Sequence, residues 1–166
     1  MIYQLLSQLD KVFRVERAKA HCDIPCGIYD PIVAQIAALT VVRMIDLMLD
    51  QEKKNPDKDL AFHNSVSRYV AVKEEHALRV KDEIRVIWGD YMKLEHADKY
   101  PQLHGLVHET MKLASAAKQT ASREQAVELL EAVNQFAEIF WQTKNVATKR
   151  AKAPYPPALE VVYPVL

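Results

Sequence analysis

Glycine is the residue that most narrows the folds open to this chain, because only three glycines occur among 166 residues. β-Sandwiches, β-barrels and dinucleotide-binding folds depend on glycine in their turns, so its scarcity favours helices. Hydrophobic residues make up 49% of the sequence and charged residues 27%, which is the balance of a folded globular protein rather than a disordered chain. The length favours a single domain.

Apolar residues recur at helical spacing from Pro31 onward and predict a series of helices. Asp30 can cap free N–H groups at the start of the first helix, and Pro31 fits its first position. Ser122 and Gln125 suit a capping box before the last helix. Residues 93–100 are predicted to be a polar loop. Short connections favour an all-α, up-down-up-down four-helix bundle, with helices over roughly residues 31–54, 57–93, 101–118 and 122–146.

The two ends of the chain differ from this helical body. Residues 148–166 hold four of the eight prolines, so we expect an extended, proline-rich C-terminal tail that lies on the body or on a neighbour. Residues 1–20 carry apolar side chains at helical spacing, which predicts a short amphipathic helix. The end of this segment is polar and rich in small residues, so a protease could enter it. A plain N-terminal helix docked on the body is the alternative.

Charge and the length of apolar runs narrow the classes of partner. The 22 basic and 22 acidic residues cancel, so no broad basic surface for nucleic acid is expected. No unbroken apolar stretch approaches the ~20 residues of a membrane span, and none near the start makes a secretory signal. We therefore expect a cytoplasmic protein that has neither nucleic acid nor membrane as a partner.

Both cysteines lie in one short segment, His21-Cys22-Asp23-Ile24-Pro25-Cys26. A disulfide is one interpretation, although no secretory feature supports an oxidising compartment. A redox pair usually has two residues between its cysteines, whereas three stand here. A structural zinc site needs four side-chain ligands, and this segment offers three. Metal binding is a further interpretation of the segment, as open at this point as these alternatives.

The local geometry of the segment favours a planar metal site. Pro25 and Gly27 make the chain turn, which can bring both sulfurs to one point. Cleavage after Ala20 would give His21 a free amine, and this amine, the Cys22 amide nitrogen and two thiolates make a planar set of donors. Such a set suits Ni(II) or Cu(II), with the histidine ring as an axial ligand. These strong donors stabilise the higher oxidation state, which makes a one-electron cycle accessible to nickel.

Other patterns in the sequence carry less chemical information. His104 and His108 are four residues apart on a predicted helix, but no glutamate directly follows His104, so exposed or satisfied histidines are the simpler interpretation. No histidine has a glutamate three positions before it, which removes the di-iron pattern of helical bundles. Residues 73–75 are charged and are expected to form a solvated helix face.

The run from His21 to Pro31 resembles the metal hook of the nickel-containing superoxide dismutase family. The resemblance covers roughly residues 21–145, with supporting segments Val86-Ile87-Trp88-Gly89-Asp90-Tyr91, Tyr100-Pro101-Gln102-Leu103-His104 and Phe140-Trp141-Gln142-Thr143-Lys144. It implies a four-helix bundle assembled as a homohexamer, with one nickel ion per subunit. It also implies a protease that removes residues 1–20 as a leader. The rest would divide into a bundle over residues 21–147, with the hook at its start, and the tail.

The resemblance also implies a ligand set and a reaction. His21 would bind nickel through its amine and ring, Cys22 through its sulfur and amide, and Cys26 through its sulfur. The implied enzyme is an antioxidant oxidoreductase that converts two superoxide ions and two protons to oxygen and hydrogen peroxide. Nickel would alternate between Ni(II) and Ni(III), with the ring bound in the oxidised state.

Four further residues match functional positions of the same family. Tyr29 and Tyr91 match tyrosines at the substrate pocket, where hydroxyls order water and restrict access. Asp23 matches a carboxylate that stabilises the turn of the hook. Lys93 matches a lysine near the entrance, which is suited to attracting an anionic substrate. Loss of the net-basic leader would leave a slightly acidic chain, so local positive charge would have to attract superoxide.

One part of the family pattern is missing from this sequence. Many members orient the ligand histidine with a glutamate on the first helix and an arginine on the second, and Ala37 and His76 stand at those positions. A ligand imidazole needs a hydrogen-bond partner, for which His76, Glu74, Glu75 or a neighbouring subunit are candidates. Two other functions stay open: a metal-binding or helical interaction protein without turnover, and a thiol–disulfide protein that uses the two cysteines.

Overall fold

A computed structural model of the chain describes residues 27–166, and most of these residues are helical. The helical class expected from the sequence is therefore confirmed for this part of the chain. Helix α2 passes directly into a π-helical turn, Ile87–Tyr91. The helices are α1 (Ile32–Lys54), α2 (Leu60–Val86), α3 (Leu94–Lys99), α4 (Leu103–Gln119) and α5 (Arg123–Thr143).

Side-chain caps explain where several helices begin. The Asp30 carboxylate accepts a hydrogen bond of 2.8 Å from the Ile32 amide, as the Asp30-Pro31 pair predicts. The Asp59 carboxylate likewise caps α2. Ser122 caps α5 by accepting from the Gln125 amide at 3.3 Å. The Gln125 side chain accepts instead from the Thr120 hydroxyl at 2.7 Å, so only half of the predicted capping box carries the expected bond.

The segment between α2 and α4 is more ordered than its polar composition suggests. Residues 94–99 form the short helix α3, where a loop is predicted, and the second helical stretch ends at Tyr91 rather than Lys93. The His96 side chain supports the start of α3, because its Nδ1 accepts a hydrogen bond of 3.1 Å from the Lys93 amide. A local cap of this kind stabilises a short helix that apolar periodicity does not reveal.

The four long helices pack so that each contacts two others. Helix α1 packs against α2 and α5, and α4 packs against the same two helices. Side chains from all four helices fill the space between them, and the largest fully buried ones include Ile45, Ile84, Leu103, Phe136 and Phe140. Each helix thereby removes an apolar face from water, which is the main source of stability in such folds.

Helix α1 is the most apolar element among residues 27–166. Its mean hydropathy reaches 1.9 over an 18-residue window, and by length and composition alone it could cross a membrane. No membrane span is expected from the sequence, because its unbroken apolar stretches are far shorter than ~20 residues. In the structure 44% of that window is buried, and α1 packs between α2 and α5. Burial on more than one side accounts for the apolar composition of such a helix.

Lys73 does not belong to a solvated helix face, contrary to the expectation for residues 73–75. Only 3% of Lys73 is exposed, and burial lowers its pKa from the ordinary value. Its Nζ donates hydrogen bonds to the carbonyl oxygens of Lys118, at 2.7 Å, and Thr120, at 2.5 Å. These are carbonyls at the end of α4, so Lys73 satisfies a helix terminus and ties α4 to α2.

The C-terminal segment forms a β-hairpin rather than a single extended tail. Strands β1 (Thr148–Lys152) and β2 (Glu160–Pro164) pair antiparallel, with Lys149 opposite Tyr163. Three prolines lie in the connection and the fourth ends β2, so none interrupts the pairing. Val161 and Val162 are 1% exposed, and β2 packs against α5.

Two buried amides join the hairpin to the helices. Gln35 of α1 donates through Nε2 to the Asn134 side chain and to the Val162 carbonyl, each at 3.1 Å. Asn134 of α5 donates to the Glu160 carbonyl at 2.9 Å. These two amides and the β2 carbonyls that they contact are called the hairpin junction below. Gln35 is 1% and Asn134 2% exposed, so the pairing satisfies polar groups that water does not reach.

An ion-pair network connects strand β1 of the hairpin to helix α5. The Arg150 guanidinium of β1 donates two hydrogen bonds to Glu131, at 2.7 and 3.0 Å, and also bonds Glu138 at 2.7 Å. These bonds lower the pKa of Glu131 and raise that of Arg150.

Candidate functional site

The segment that carries the predicted ligands precedes the described part of the chain. His21, Cys22, Asp23 and Cys26 lie outside the described residues, so the structure does not place them. The description begins at Gly27, whose φ of +93° lies in the left-handed region. Side chains other than glycine adopt that region at a cost, which explains why glycine stands directly after the second cysteine.

Within residues 27–166 no group of three histidine, cysteine or carboxylate side chains could hold a metal ion. Of the two histidines spaced four residues apart, His108 is exposed and His104 has another partner, in line with the simpler interpretation of the sequence. His104 Nδ1 accepts a hydrogen bond of 3.0 Å from the indole N–H of Trp88, and the two rings meet edge to face. A ring nitrogen used in this way does not serve a metal.

The structure brings Tyr29 and Tyr91 together. Their ring centroids are 5.5 Å apart with the planes tilted by 45°, and both residues are half-buried. Tyr29 stands three residues before α1, while Tyr91 ends the π-helical turn after α2. Packing of α1 on α2 therefore places the residues just before α1 beside the end of α2.

The Tyr91 ring is enclosed by several groups. Phe140 of α5 lies 5.1 Å away between centroids, and the His96 imidazole stacks on the ring at 5.6 Å with planes 20° apart. The Lys144 ammonium stands 4.7 Å from the Tyr91 centroid and 5.2 Å from that of Phe140. We call Tyr29, Tyr91, Phe140, Thr143 and Lys144 the tyrosine corner.

The Tyr91 hydroxyl has a defined partner in α5. Its oxygen lies 2.8 Å from Oγ1 of Thr143, and that Oγ1 lies 2.6 Å from the carbonyl oxygen of Phe140. The hydroxyl of a half-buried tyrosine is thus fixed by a second hydroxyl at the last turn of α5.

Positive charge at the site comes from two lysines of different exposure. Lys93 follows Tyr91 by two residues, its side chain is 74% exposed, and its nearest carboxylate is that of Glu95 at 4.0 Å. Lys144 lies against the tyrosine ring itself, where cation–π attraction holds it. The predicted Lys93 therefore extends into solvent, while the lysine in ring contact was not singled out.

Three members of this environment, His96, Thr143 and Lys144, are given no role at the site by the sequence. They contact Tyr91 from positions 5, 52 and 53 residues away in the chain, and only the packing of α5 beside the end of α2 brings the last two there. The spacing of Phe140, Thr143 and Lys144 at three and four residues places them on one helix face and is the one usable signal.

The candidates for orienting the ligand histidine have different surroundings. Ala37 is fully buried in α1, so no polar group comes from that position. His76 of α2 is half-buried, and its Nδ1 lies 2.9 Å from the Val72 carbonyl. A carbonyl only accepts, so the proton belongs on Nδ1 and Nε2 is left as an acceptor. Glu75 pairs with Arg79 at 3.4 Å, and Glu74 is exposed.

Known proteins match most of this chain in sequence, including the residues of the tyrosine corner. The family described as nickel-containing superoxide dismutase matches residues 16–144. A nickel superoxide dismutase of Streptomyces coelicolor is 40% identical over 126 residues, which are 76% of this chain and 89% of the relative. One from Streptomyces seoulensis is 39% identical over 129 residues, which are 78% and 92% of the two chains.

Solved structures agree with the sequence comparison. A native nickel superoxide dismutase structure superposes with a TM-score of 0.62 at 40% identity, covering 75% of this chain and 99% of the other. A structure whose nickel ligation corresponds to the oxidised state gives 0.62 at 39% identity, with the same coverage. The family match ends at residue 144, before the hairpin begins. The chain therefore belongs to the nickel-containing superoxide dismutases, and it is an oxidoreductase with a nickel cofactor.

Proposed function

We propose that residues 21–26 hold the nickel, after proteolysis following Ala20 has freed the His21 amine. The ligands are the amine and ring of His21, the sulfur and amide of Cys22, and the sulfur of Cys26. The carrying observation is that both cysteines of the chain lie in this segment, while residues 27–166 contain no competing group of metal-binding side chains. Thiolate, amide and amine donors fit nickel better than zinc.

Nickel bound in this set supplies the Ni(II)/Ni(III) cycle through which one superoxide ion is oxidised and a second is reduced. The balanced reaction takes two superoxide ions and two protons to oxygen and hydrogen peroxide. The other residues of the site order water, restrict access to the metal and attract the superoxide anion. Tyr29 and Tyr91 form an aromatic wall that restricts access and orders water, and Asp23 stabilises the turn of the hook.

Attraction of the substrate is assigned to the lysines beside this wall. Superoxide is an anion, and positive charge near an entrance raises the rate of productive encounter. Lys93, which extends into solvent, acts at longer range, and Lys144 places its charge against the Tyr91 ring. For the missing orienting pair we propose that His76 supplies an acceptor through Nε2, or that a neighbouring subunit supplies the group.

The wider organisation follows the family. The contacts of α1 and α4 with both α2 and α5 support an up-down-up-down four-helix bundle. We propose that the bundle assembles as a homohexamer with one nickel ion per subunit, and that residues 1–20 are a leader removed by a protease. A cytoplasmic location, with neither nucleic acid nor membrane as partner, is part of the same proposal.

The test combines the mass of the processed protein with metal analysis and superoxide removal. We expect a chain that starts at His21, holds about one nickel ion and removes superoxide. Cys22→Ser and Cys26→Ser should each abolish nickel binding and activity, while the helical circular dichroism signal remains. An active enzyme that still carries residues 1–20 would contradict the ligand set, because His21 would have no free amine.

A further inference from the structure

The direction of the hydrogen bonds at Thr143 follows from the chemistry of its two partners, a carbonyl and a phenol. Thr143 Oγ1 lies 2.6 Å from the Phe140 carbonyl oxygen and 2.8 Å from the Tyr91 hydroxyl oxygen. A carbonyl oxygen can only accept, so the single Thr143 hydroxyl proton points to Phe140. The bond between the two hydroxyls must then use the Tyr91 proton, and Tyr91 is the donor.

We propose that Thr143 is a positioning residue that makes the Tyr91 hydroxyl a hydrogen-bond acceptor toward the substrate pocket. The inference rests on the proposed role of Tyr91 at that pocket. The single Tyr91 hydroxyl proton is donated to Thr143, so the phenol oxygen can only accept hydrogen bonds from other groups. An acceptor gives no hydrogen bond to superoxide, which carries no proton. Tyr91 therefore holds a water molecule or the protonated product, and the protons for peroxide come from other donors.

The surroundings of Tyr91 show that Thr143 acts on the hydroxyl and not on the ring. Phe140, His96 and Lys144 contact the ring from separate elements, at 5.1, 5.6 and 4.7 Å. These contacts do not involve the hydroxyl and persist when Oγ1 is removed. Ring placement and hydroxyl direction are thus set by different residues, so a substitution at Thr143 can separate them.

The experiment uses the processed, nickel-loaded enzyme with Thr143→Val, Thr143→Ser, Tyr91→Phe and the double variant Tyr91→Phe/Thr143→Val. A net hydrogen bond corresponds to roughly a three- to tenfold change in rate, so we expect Thr143→Val to lower the rate constant for superoxide removal by that factor. Thr143→Ser should restore it, because serine keeps the hydroxyl. In the Tyr91→Phe background, Thr143→Val should cause no further loss.

A second readout does not depend on activity. The tyrosine doublet in the Raman spectrum distinguishes phenols that donate from phenols that accept, with or without metal. We expect Thr143→Val to change the doublet toward a non-donating phenol, and Tyr91→Phe to abolish that change. Nickel content and thermal midpoint should stay at wild-type values. Should valine destabilise the chain, Thr143→Ala carries the same test, and the Raman comparison is made on the folded fraction.

Thr110→Val is the matched control, because the Thr110 hydroxyl makes a similar bond to a helix carbonyl, to Leu106 at 2.8 Å, with no tyrosine partner among the described residues. It should leave rate and doublet unchanged. An unaltered rate in Thr143→Val, while Tyr91→Phe is impaired, overturns the positioning role. Equal losses in both backgrounds make Thr143 merely structural and overturn it too. An unimpaired Tyr91→Phe instead overturns the proposed role of Tyr91 itself.

Discussion

Helix α5 takes part in two polar arrangements that use similar hydrogen bonds under different conditions of burial. At the hairpin junction Asn134 and Gln35 are at most 2% exposed, and their amides bond each other and strand carbonyls. At the tyrosine corner the hydroxyls of Thr143 and Tyr91 also bond each other and a carbonyl, but both residues are half-buried. Complete burial makes the first arrangement a source of stability, whereas partial exposure leaves the second open to small molecules.

The two regions also differ in their relation to the family. The tyrosine corner lies wholly within the matched residues 16–144, whereas the junction joins Gln35 and Asn134, inside that range, to a hairpin that follows it. If burial separates stability from activity in this way, substitutions at the junction should change unfolding alone, and substitutions around the corner should change turnover alone.

The largest effect is expected at the junction, from Asn134→Ala. The change leaves the Glu160 carbonyl and part of the Gln35 amide without partners in a region that water does not reach. Unsatisfied buried groups and the space left behind should lower the free energy of unfolding by about 3 kcal/mol. Chemical denaturation followed by circular dichroism measures this, and activity per nickel-loaded chain should be unchanged.

Gln135→Ala is the control for that experiment. The residue adjoins Asn134, but its side chain is exposed and bonds the Glu131 carboxylate at 3.1 Å. We expect a change of less than about 0.5 kcal/mol. Lower activity in Asn134→Ala at normal stability would show that the junction reaches the site, and the separation of the two regions would be lost.

An intermediate effect is expected from charge reversal at the corner. Lys93→Glu should lower the superoxide rate constant roughly threefold and weaken its salt dependence, because an attractive charge becomes repulsive. Lys144→Glu should lower it further, since Lys144 lies 4.7 Å from the Tyr91 ring centroid while Lys93 extends into solvent. Rates measured across ionic strength test both, with unfolding free energies measured in parallel.

Lys54→Glu serves as the control, because it reverses another exposed lysine, at the far end of α1. That end is about 34 Å from the start of the helix, well beyond the screening length in physiological salt. Its rate and salt dependence should match those of the wild type. Equal losses in all three variants would assign the effect to net charge rather than to the tyrosine corner.

The smallest effect concerns acid stability at the hairpin. Hydrogen bonds from Arg150 lower the pKa of Glu131 below its ordinary value of 4.5, so between the folded and unfolded pKa values the unfolded chain binds more protons than the folded one. Stability from this pair is present above pH 4.5 and is lost as the pH falls through the folded pKa. Arg150→Gln should remove this acid dependence, an effect below about 1 kcal/mol because the pair is partly exposed.

Thermal midpoints at neutral pH and below pH 4.5 measure that dependence. Arg79→Gln is the control, because it breaks an exposed ion pair with Glu75 within α2. This variant should keep the acid dependence of the wild type. An unchanged acid dependence in Arg150→Gln would place the sensitivity in other carboxylates, and the hairpin would contribute nothing to it.

The sequence predicts the long helices well because their apolar faces repeat every three to four residues and three of the four begin with a side-chain cap. Helix α3 is missed because its residues are polar and its support is a local bond from the Lys93 amide to His96. The hairpin is missed because prolines argue against a helix without indicating strand pairing. Both errors arise where a hydrogen bond, rather than apolar periodicity, determines the backbone.

For the site, the family resemblance names Tyr29 and Tyr91, and the structure brings these two together. It includes Thr143 and Lys144 in a matching segment but assigns them no role, because their role depends on contact with a residue more than 50 positions earlier. The burial of Lys73 could not be predicted for the same reason. This lysine lies in a charged run and is buried because it donates to carbonyl oxygens at the end of another helix. Long-range contacts of this kind carry no local pattern.

The contact between Tyr29 and Tyr91 also sets an order of events during synthesis. The two cysteines precede Tyr29 in the chain, whereas Tyr91 is synthesised only after the whole of α1 and α2. Until those helices pack, the rings of Tyr29 and Tyr91 are not in contact. Both thiols are therefore made before the aromatic pair can form, and the formation of that pair depends on the folding of both helices.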